Sequence, residues 1–215
     1  MDKAKLYLAI FFICLPFGYL AAIYGDLPET IPIHWNWRGV ADQFGPKWLL
    51  WLGPVLGVPF ILLINAALTR YIDDWPTTGK QRNIALITVA FTSLMICYII
   101  YSAKAGTQIA LGGLAILMGL FFAALGNYFP VLKQNPYVGI RTPGTLRSER
   151  KWRLAHWFGG KVFLAGGLLL VLVGLLFSGA VVTVGLLSIV VLMSVITLVY
   201  SARLPDDGAD LDDFV

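Results

Sequence analysis

Charge is what this sequence has least of. Asp, Glu, Lys and Arg supply 13% of its 215 residues, against 58% hydrophobic residues. The deficit is uneven: Leu6–Gly25, Trp48–Thr69, Asn83–Ala103, Ala105–Leu132 and Val162–Ala202 contain none of the four. Cysteine and histidine are scarce too, at two each. Cys14 and Cys97 have no neighbouring thiol and no metal-site spacing, so they read as buried free thiols. There is no H-E-x-x-H, no G-x-S-x-G elbow and no aspartic dyad, which removes the hydrolases built on them. Ion-coupled transport needs ionisable groups within the membrane, and none lies deep in an apolar run. Neither an internal repeat nor a low-complexity linker divides the chain, so residues 1–215 read as one domain.

What remains is membrane span. Roughly 20 apolar residues cross a bilayer. The first four runs each supply one crossing; the fifth is about twice as long and breaks at Ser178-Gly179. Spans are therefore expected at about 6–25, 48–69, 83–103, 108–129, 162–178 and 180–201. The fold class is an all-α polytopic membrane protein with six transmembrane helices. Lys3 and Lys5 before an apolar run resemble a signal peptide, but the run is span-length and no A-x-A cleavage site follows. An inside N-terminus puts thirteen of the sixteen Lys and Arg residues in the cytoplasm, leaving Arg38, Lys47 and Lys104 outside. Both termini are thus expected in the cytoplasm. The net charge of +4 reports this topology and an affinity for membrane lipid, with no direct nucleic acid binding implied.

Two polar stretches interrupt the spans. In the outer loop, 26–47, Pro28 and Pro32 favour extended backbone, Trp37-Arg38-Gly39 a turn, and Gly45-Pro46 an end to the segment. His34 and Asp42 fall short of the three or four ligands a metal needs. His34, Trp35 and Trp37 instead suit a folded cap at the outer interface. The second stretch, 130–161, is placed in the cytoplasm. Asn135-Pro136 and Arg141–Gly144 are turn chemistry, and Ser148 can cap a helix whose first residue, Glu149, suits a positive helix N-terminus. Trp152, His156, Gly159 and Phe163 share a face of that helix, which reads as an interfacial helix ahead of the fifth span. The guanidinium of Arg141 suits a carboxylate or backbone carbonyls, and Glu149 lies close in sequence. His34 and His156 fall on opposite sides of a core about 30 Å thick, so they cannot share a catalytic site. No enzymatic activity, cofactor or metal is expected.

The spans carry little else. Pro54, Pro59 and Asn65 lie in the second, Thr88, Thr92 and Ser93 in the third. Ala115, Gly119 and Ala123, with Gly112, Gly113 and Gly126, give the fourth a close-packing face. The inner loop 70–82, with Asp73, Asp74 and a Trp-Pro turn, reads as a solvated connector. The tail, 205–215, carries five aspartates that could pair with the basic inner loop or simply solvate the chain end.

The run from Asn135 to His156, N-x-x-x-G-I-R-T-P-x-T-L-x-S-E-x-x-W-x-x-x-H, resembles the C-terminal signature of the SdpI family. The outer run from Leu27 to Asp42, L-P-x-x-I-P-I-H-W-N-x-x-G-x-x-D, is similar to a small domain that precedes that signature in many such proteins. Ala155 and Trp157 depart from the pattern, where a polar and a basic residue are expected. The resemblance implies an integral membrane immunity protein that protects against a secreted peptide toxin. It also implies, as in the best-known system, the holding of a small cytoplasmic transcriptional repressor at the membrane. On that reading the toxin-facing or partner-binding candidates are Pro32, His34, Trp35, Asn36, Gly39 and Asp42. The cytoplasmic candidates are Asn135, Gly139, Arg141, Thr142, Pro143, Thr145, Ser148, Glu149, Trp152 and His156. A small-solute or lipid transporter and a passive membrane scaffold are the alternatives.

Overall fold

The computed structural model of the chain describes residues 3–71 and 79–205. Asp73, Asp74 and the Trp-Pro turn of the inner loop, and the aspartates of the tail, lie outside the described residues. Among the described residues, six helical segments are long and apolar enough to cross a membrane: 3–26, 47–66, 83–105, 111–131, 149–176 and 180–203.

Helix α1 (Lys3–Ile23) ends in a single 3-10 turn, and the chain then forms two strands, β1 (Thr30–Trp35) and β2 (Ala41–Pro46). Lys47–Trp51 is 3-10 helix and Gly53–Gly57 a π-helical turn before α2 (Val58–Tyr71). Pro54 and Pro59 have no amide to give to the regular α ladder, which fits the wider winding at the entry to this span. α3 (Gly79–Ala105) and α4 (Leu111–Tyr128) follow, then the short α5 (Pro143–Arg147), α6 (Glu149–Leu176) and α7 (Ala180–Arg203). The break expected at Ser178-Gly179 is the α6–α7 turn, where Gly179 takes φ +58°.

The extended backbone and turn expected of the outer loop are a paired antiparallel hairpin, so the described residues are helical with one small sheet. One expectation needs correction. The interfacial helix ahead of the fifth span does not exist as a separate element: α6 runs unbroken for 28 residues from Glu149. At 1.5 Å per residue it is about 42 Å long, longer than the roughly 30 Å of hydrocarbon. Its first turns are therefore free to stand beyond the membrane while the remainder spans it. Ser148 caps it as expected, its side chain accepting from the Lys151 amide at 3.1 Å.

The tightest packing in the bundle is between α4 and α6. Glycines recur every seventh residue on both, at 112, 119 and 126 and at 160, 167 and 174, and they face each other in antiparallel order. A Cβ on Gly119 would lie 2.5 Å from the Gly167 carbonyl oxygen, one on Gly112 2.5 Å from that of Gly174, and one on Gly126 2.6 Å from that of Gly160. Buried Ala115 and Ala123 complete the α4 side. The expected small-residue face is therefore real. Lipid tails are as apolar as leucine, so close backbone packing is what holds such helices together. α7 packs on α6, and α1 packs on α3 through Leu20, Ile96 and Ile100.

The hairpin is fastened to the bundle at one end. The α3–α4 connection adds a short rung, with the Ala41 amide donating to Thr107 O (2.7 Å) and the Ile109 amide to Gly39 O (2.9 Å). Thr183 Oγ1 at the start of α7 donates to Trp37 O at 2.8 Å. Residues 132–148 and the end of α7 gather at the other end of the bundle.

Candidate functional site

The hairpin is irregular in a way that serves its tip. Its register passes from Pro32↔Phe44 to His34↔Gln43 and then to Trp35↔Ala41. Ile33 on one strand and Asp42 on the other are thus left over as bulges, and bulges re-aim side chains. His34 Nδ1 meets Asp42 Oδ1 at 2.5 Å on the exposed face. Asn36 holds the turn: its Oδ1 accepts from the Arg38 amide (2.9 Å) and the Val40 amide (3.3 Å). Gly39, one of the toxin-facing candidates, is buried, with φ +80° and with Ile109 O and Leu111 within 3.1 Å of where a Cβ would stand. Pro32 is buried as well, and Trp35 is half-buried with its indole nitrogen enclosed and unpartnered. Of the six outer candidates, His34 and Asp42 are therefore the exposed pair. Among the described residues no three His, Cys, Asp or Glu side chains gather as a metal site.

The signature segment folds back over the first turns of α6. Buried Asn135 ties its own turn, accepting from the amides of Tyr137 (2.9 Å) and Val138 (2.7 Å) and donating to Lys133 O (2.9 Å) and Val138 O (3.0 Å). Gly139 follows with φ +122°, and a Cβ there would run into His156 Nε2 and lie 3.0 Å from Trp152 Cη2. Both the dihedral and the space therefore require glycine. The next amide, Ile140 N–H, donates to His156 Nε2 at 3.0 Å. His156 Nδ1 lies 2.8 Å from Trp152 O, and a carbonyl only accepts, so Nδ1 carries the hydrogen. These two bonds fix one neutral tautomer and leave neither nitrogen to act as a base.

Trp152 and His156 stack with ring centroids 4.0 Å apart, and Trp152 Nε1 donates to Leu132 O at 2.7 Å. The shared helix face expected of Trp152, His156 and Gly159 is thus the face that receives the loop. Thr142 caps α5 in a reciprocal box with Thr145, and Pro143 takes the first helical position, where a missing amide costs nothing. Thr145 Oγ1, fully buried, donates to Ile140 O at 2.7 Å. Arg141 Nη1 donates to Pro136 O (2.7 Å) and Tyr137 O (3.1 Å), so one nitrogen of its guanidinium clamps two backbone carbonyls. The partner suggested by sequence proximity, Glu149, pairs instead with Arg153 one turn on (3.2 Å).

Some contributors carried little signal in the sequence. Thr142 Oγ1 lies 2.9 Å from Ser201 Oγ, which pins the segment to α7, and Gln134 Nε2 donates to Thr145 O at 2.6 Å. Thr197 and Ser201, both buried and four residues apart, were the readable clue to a polar stripe on α7. Lys5 Nζ to Asn83 Oδ1 and Asn83 Nδ2 to Tyr128 Oη, each 2.8 Å, join α1, α3 and α4 by another chain of polar groups. Ala155, where the pattern expects a polar residue, is fully buried beside Ile140 and Leu204.

Comparison with known proteins follows the same two stretches. The SdpI/YfhL protein family matches residues 131–201, and DUF1648, a domain of unknown function, matches residues 11–58. Immunity protein SdpI of Bacillus subtilis (strain 168) is 29% identical over 204 residues, covering 90% of this chain and 92% of that protein. No solved structure matches. The part of this multi-pass membrane protein that is similar to the SdpI/YfhL family thus runs from the end of α4 through α7, and the part similar to DUF1648 covers α1, the hairpin and the entry to α2.

Proposed function

We propose that this protein is an immunity protein that protects its cell from a secreted antimicrobial peptide toxin. The observation that carries the reading is similarity along nine-tenths of the chain to a protein named for immunity, with both polar motifs included. The test is expression in a toxin-sensitive cell and survival against the secreted peptide toxin. Survival no better than that of an empty-vector strain, with the protein present in the membrane, would refute it.

In this reading the hairpin faces outward and both termini lie in the cytoplasm, in keeping with the Lys and Arg bias. Arg38 and Leu146 are exposed positions at opposite ends of the molecule. Each is to be changed to cysteine in a background without Cys14 and Cys97, then offered an impermeant thiol reagent in intact cells. Labelling of Arg38→Cys alone is the expected result. Labelling of Leu146→Cys alone would invert the topology.

The toxin is met at the hairpin, where His34 and Asp42 form the polar exposed pair and Trp35 supplies a half-buried aromatic wall. Trp35→Ala should lower protection while membrane levels hold. Because the ring also packs against the Leu20–Ile100 core, parallel loss of protein and protection would reassign it to folding.

The signature segment is the cytoplasmic recognition surface, and a small transcriptional repressor is the partner it would hold at the membrane. Its support is rigidity: the loop is pinned by Asn135, Arg141, Thr145 and His156, whereas lipid anchoring needs only charge and aromatic content.

A further inference from the structure

We propose that the basic face of the signature segment is the docking surface for the chain's own acidic tail, residues 206–215. This goes beyond the immunity reading and does not depend on it. The tail reads D-D-G-A-D-L-D-D-F-V, with five aspartates and no basic residue. Residues 130–161 hold seven Lys and Arg against one acidic residue, Glu149, which is already paired with Arg153. The two charge sets are therefore opposite in sign and close in size.

Geometry brings them together. α7 ends at Arg203, and Leu204 is buried in a cluster with Ile140 and Ala155. With the Thr142–Ser201 bond one turn earlier, the tail is bound to leave the fold beside the signature segment. Ten extended residues reach at most about 33–36 Å, ample for the neighbouring surface. That surface has a cleft of about 520 Å3 between Pro130–Gln134 and the first turns of α6, lined by Lys133 and Arg153 together with Glu149, whose carboxylate Arg153 already pairs. Leu211 and Phe214, set among the aspartates, give the tail apolar side chains to lay against the Pro130–Val131 edge of that cleft.

A single exposed ion pair is too weak to hold two separate molecules together. A short tether changes the arithmetic, because it keeps the tail at an effective concentration of about millimolar. Docking then occupies the face that any other polyanion, protein or lipid, would have to use.

The experiment uses the full chain with spin labels at Leu146→Cys and Asp213→Cys, in a background with Cys14→Ser and Cys97→Ser. It is reconstituted in phosphatidylcholine nanodiscs. One narrow distance band is expected, broadening at about 1 M salt, where the screening length falls to about 3 Å. The same broadening is expected when Asp206, Asp207, Asp210 and Asp212 become Asn, changes that leave every described hydrogen bond intact. A broad distribution indifferent to salt and to those four changes would overturn the proposal. So would a band present in neutral discs but lost when phosphatidylglycerol is included, because lipid would then displace the tail in a bacterial membrane.

Discussion

Gly167→Val is expected to lower the melting temperature and the amount of folded protein in the membrane. A Cβ at this position would stand 2.5 Å from both the Gly119 carbonyl oxygen and the Ala123 amide nitrogen, and 3.0 Å from the Ala123 Cα. All three are backbone atoms of α4, so no rotamer change relieves the clash; the helices must separate. Overpacking usually costs about 1–3 kcal/mol. Where backbone meets backbone the upper end is expected, about 3 kcal/mol, or a shift of about a hundredfold in the folded ratio. The separation would also undo the neighbouring pairs Gly112–Gly174 and Gly126–Gly160, since all three lie along one seam. Gly18→Ala is the control. That residue sits in α1 with nothing within 4 Å of its missing Cβ, and alanine there should gain up to about 1 kcal/mol of helix propensity. Membrane-fraction abundance and thermal unfolding in detergent measure both. Wild-type melting for Gly167→Val would mean that the α4–α6 seam does not hold the bundle.

That seam shows how far the sequence could be read. The small face of α4 was legible from Ala115, Gly119 and Ala123, because small residues at helical spacing have few uses in a span. Its partner was not, although Gly160, Gly167 and Gly174 repeat with the same period of seven. A period identifies a face, whereas which helix meets it is decided in three dimensions. The six spans were legible because burial in hydrocarbon forbids charge over their length. The continuity of α6 was not: the polar residues of 149–161 report that this part is wet and say nothing about whether the helix stops. Gly39 stands among the toxin-facing candidates of the sequence, yet it is buried. Its positive φ lets the backbone press on Ile109 and Leu111. Glu149–Arg153 is legible as an i, i+4 pair and outcompetes Arg141, eight residues away.

His156→Ala and Arg141→Lys should separate the two things the signature segment does. Alanine at 156 strands the buried Ile140 amide, at about 1–3 kcal/mol, and removes the stack on Trp152, worth about 0.5–1.5 kcal/mol more. Together these amount to about 2–4 kcal/mol, enough to release the loop from α6 and to lower both protein level and protection. His156→Gln offers an oxygen acceptor to the same amide, so it should fall between alanine and wild type. Arg141 is different, because it is exposed and clamps the carbonyls of Pro136 and Tyr137 from outside. Lysine keeps the charge, but its ammonium ends a shorter, more flexible stem and must reach both carbonyls without the fixed N–H directions of the guanidinium Nη1. Its cost should be about 1–2 kcal/mol, confined to the order of the turn, or roughly a tenfold rise in the disordered loop. Insertion and abundance should therefore stay at wild-type levels for Arg141→Lys while protection falls, along with recruitment of any repressor to the membrane fraction. A segment serving only to anchor lipid would be indifferent to that exchange, since charge and aromatic content are unchanged. If Arg141→Lys and His156→Gln both protect like wild type at matched expression, the loop is a structural lock on α6 and α7. The recognition surface must then be sought at the hairpin, with His34 and Asp42 the first residues to change.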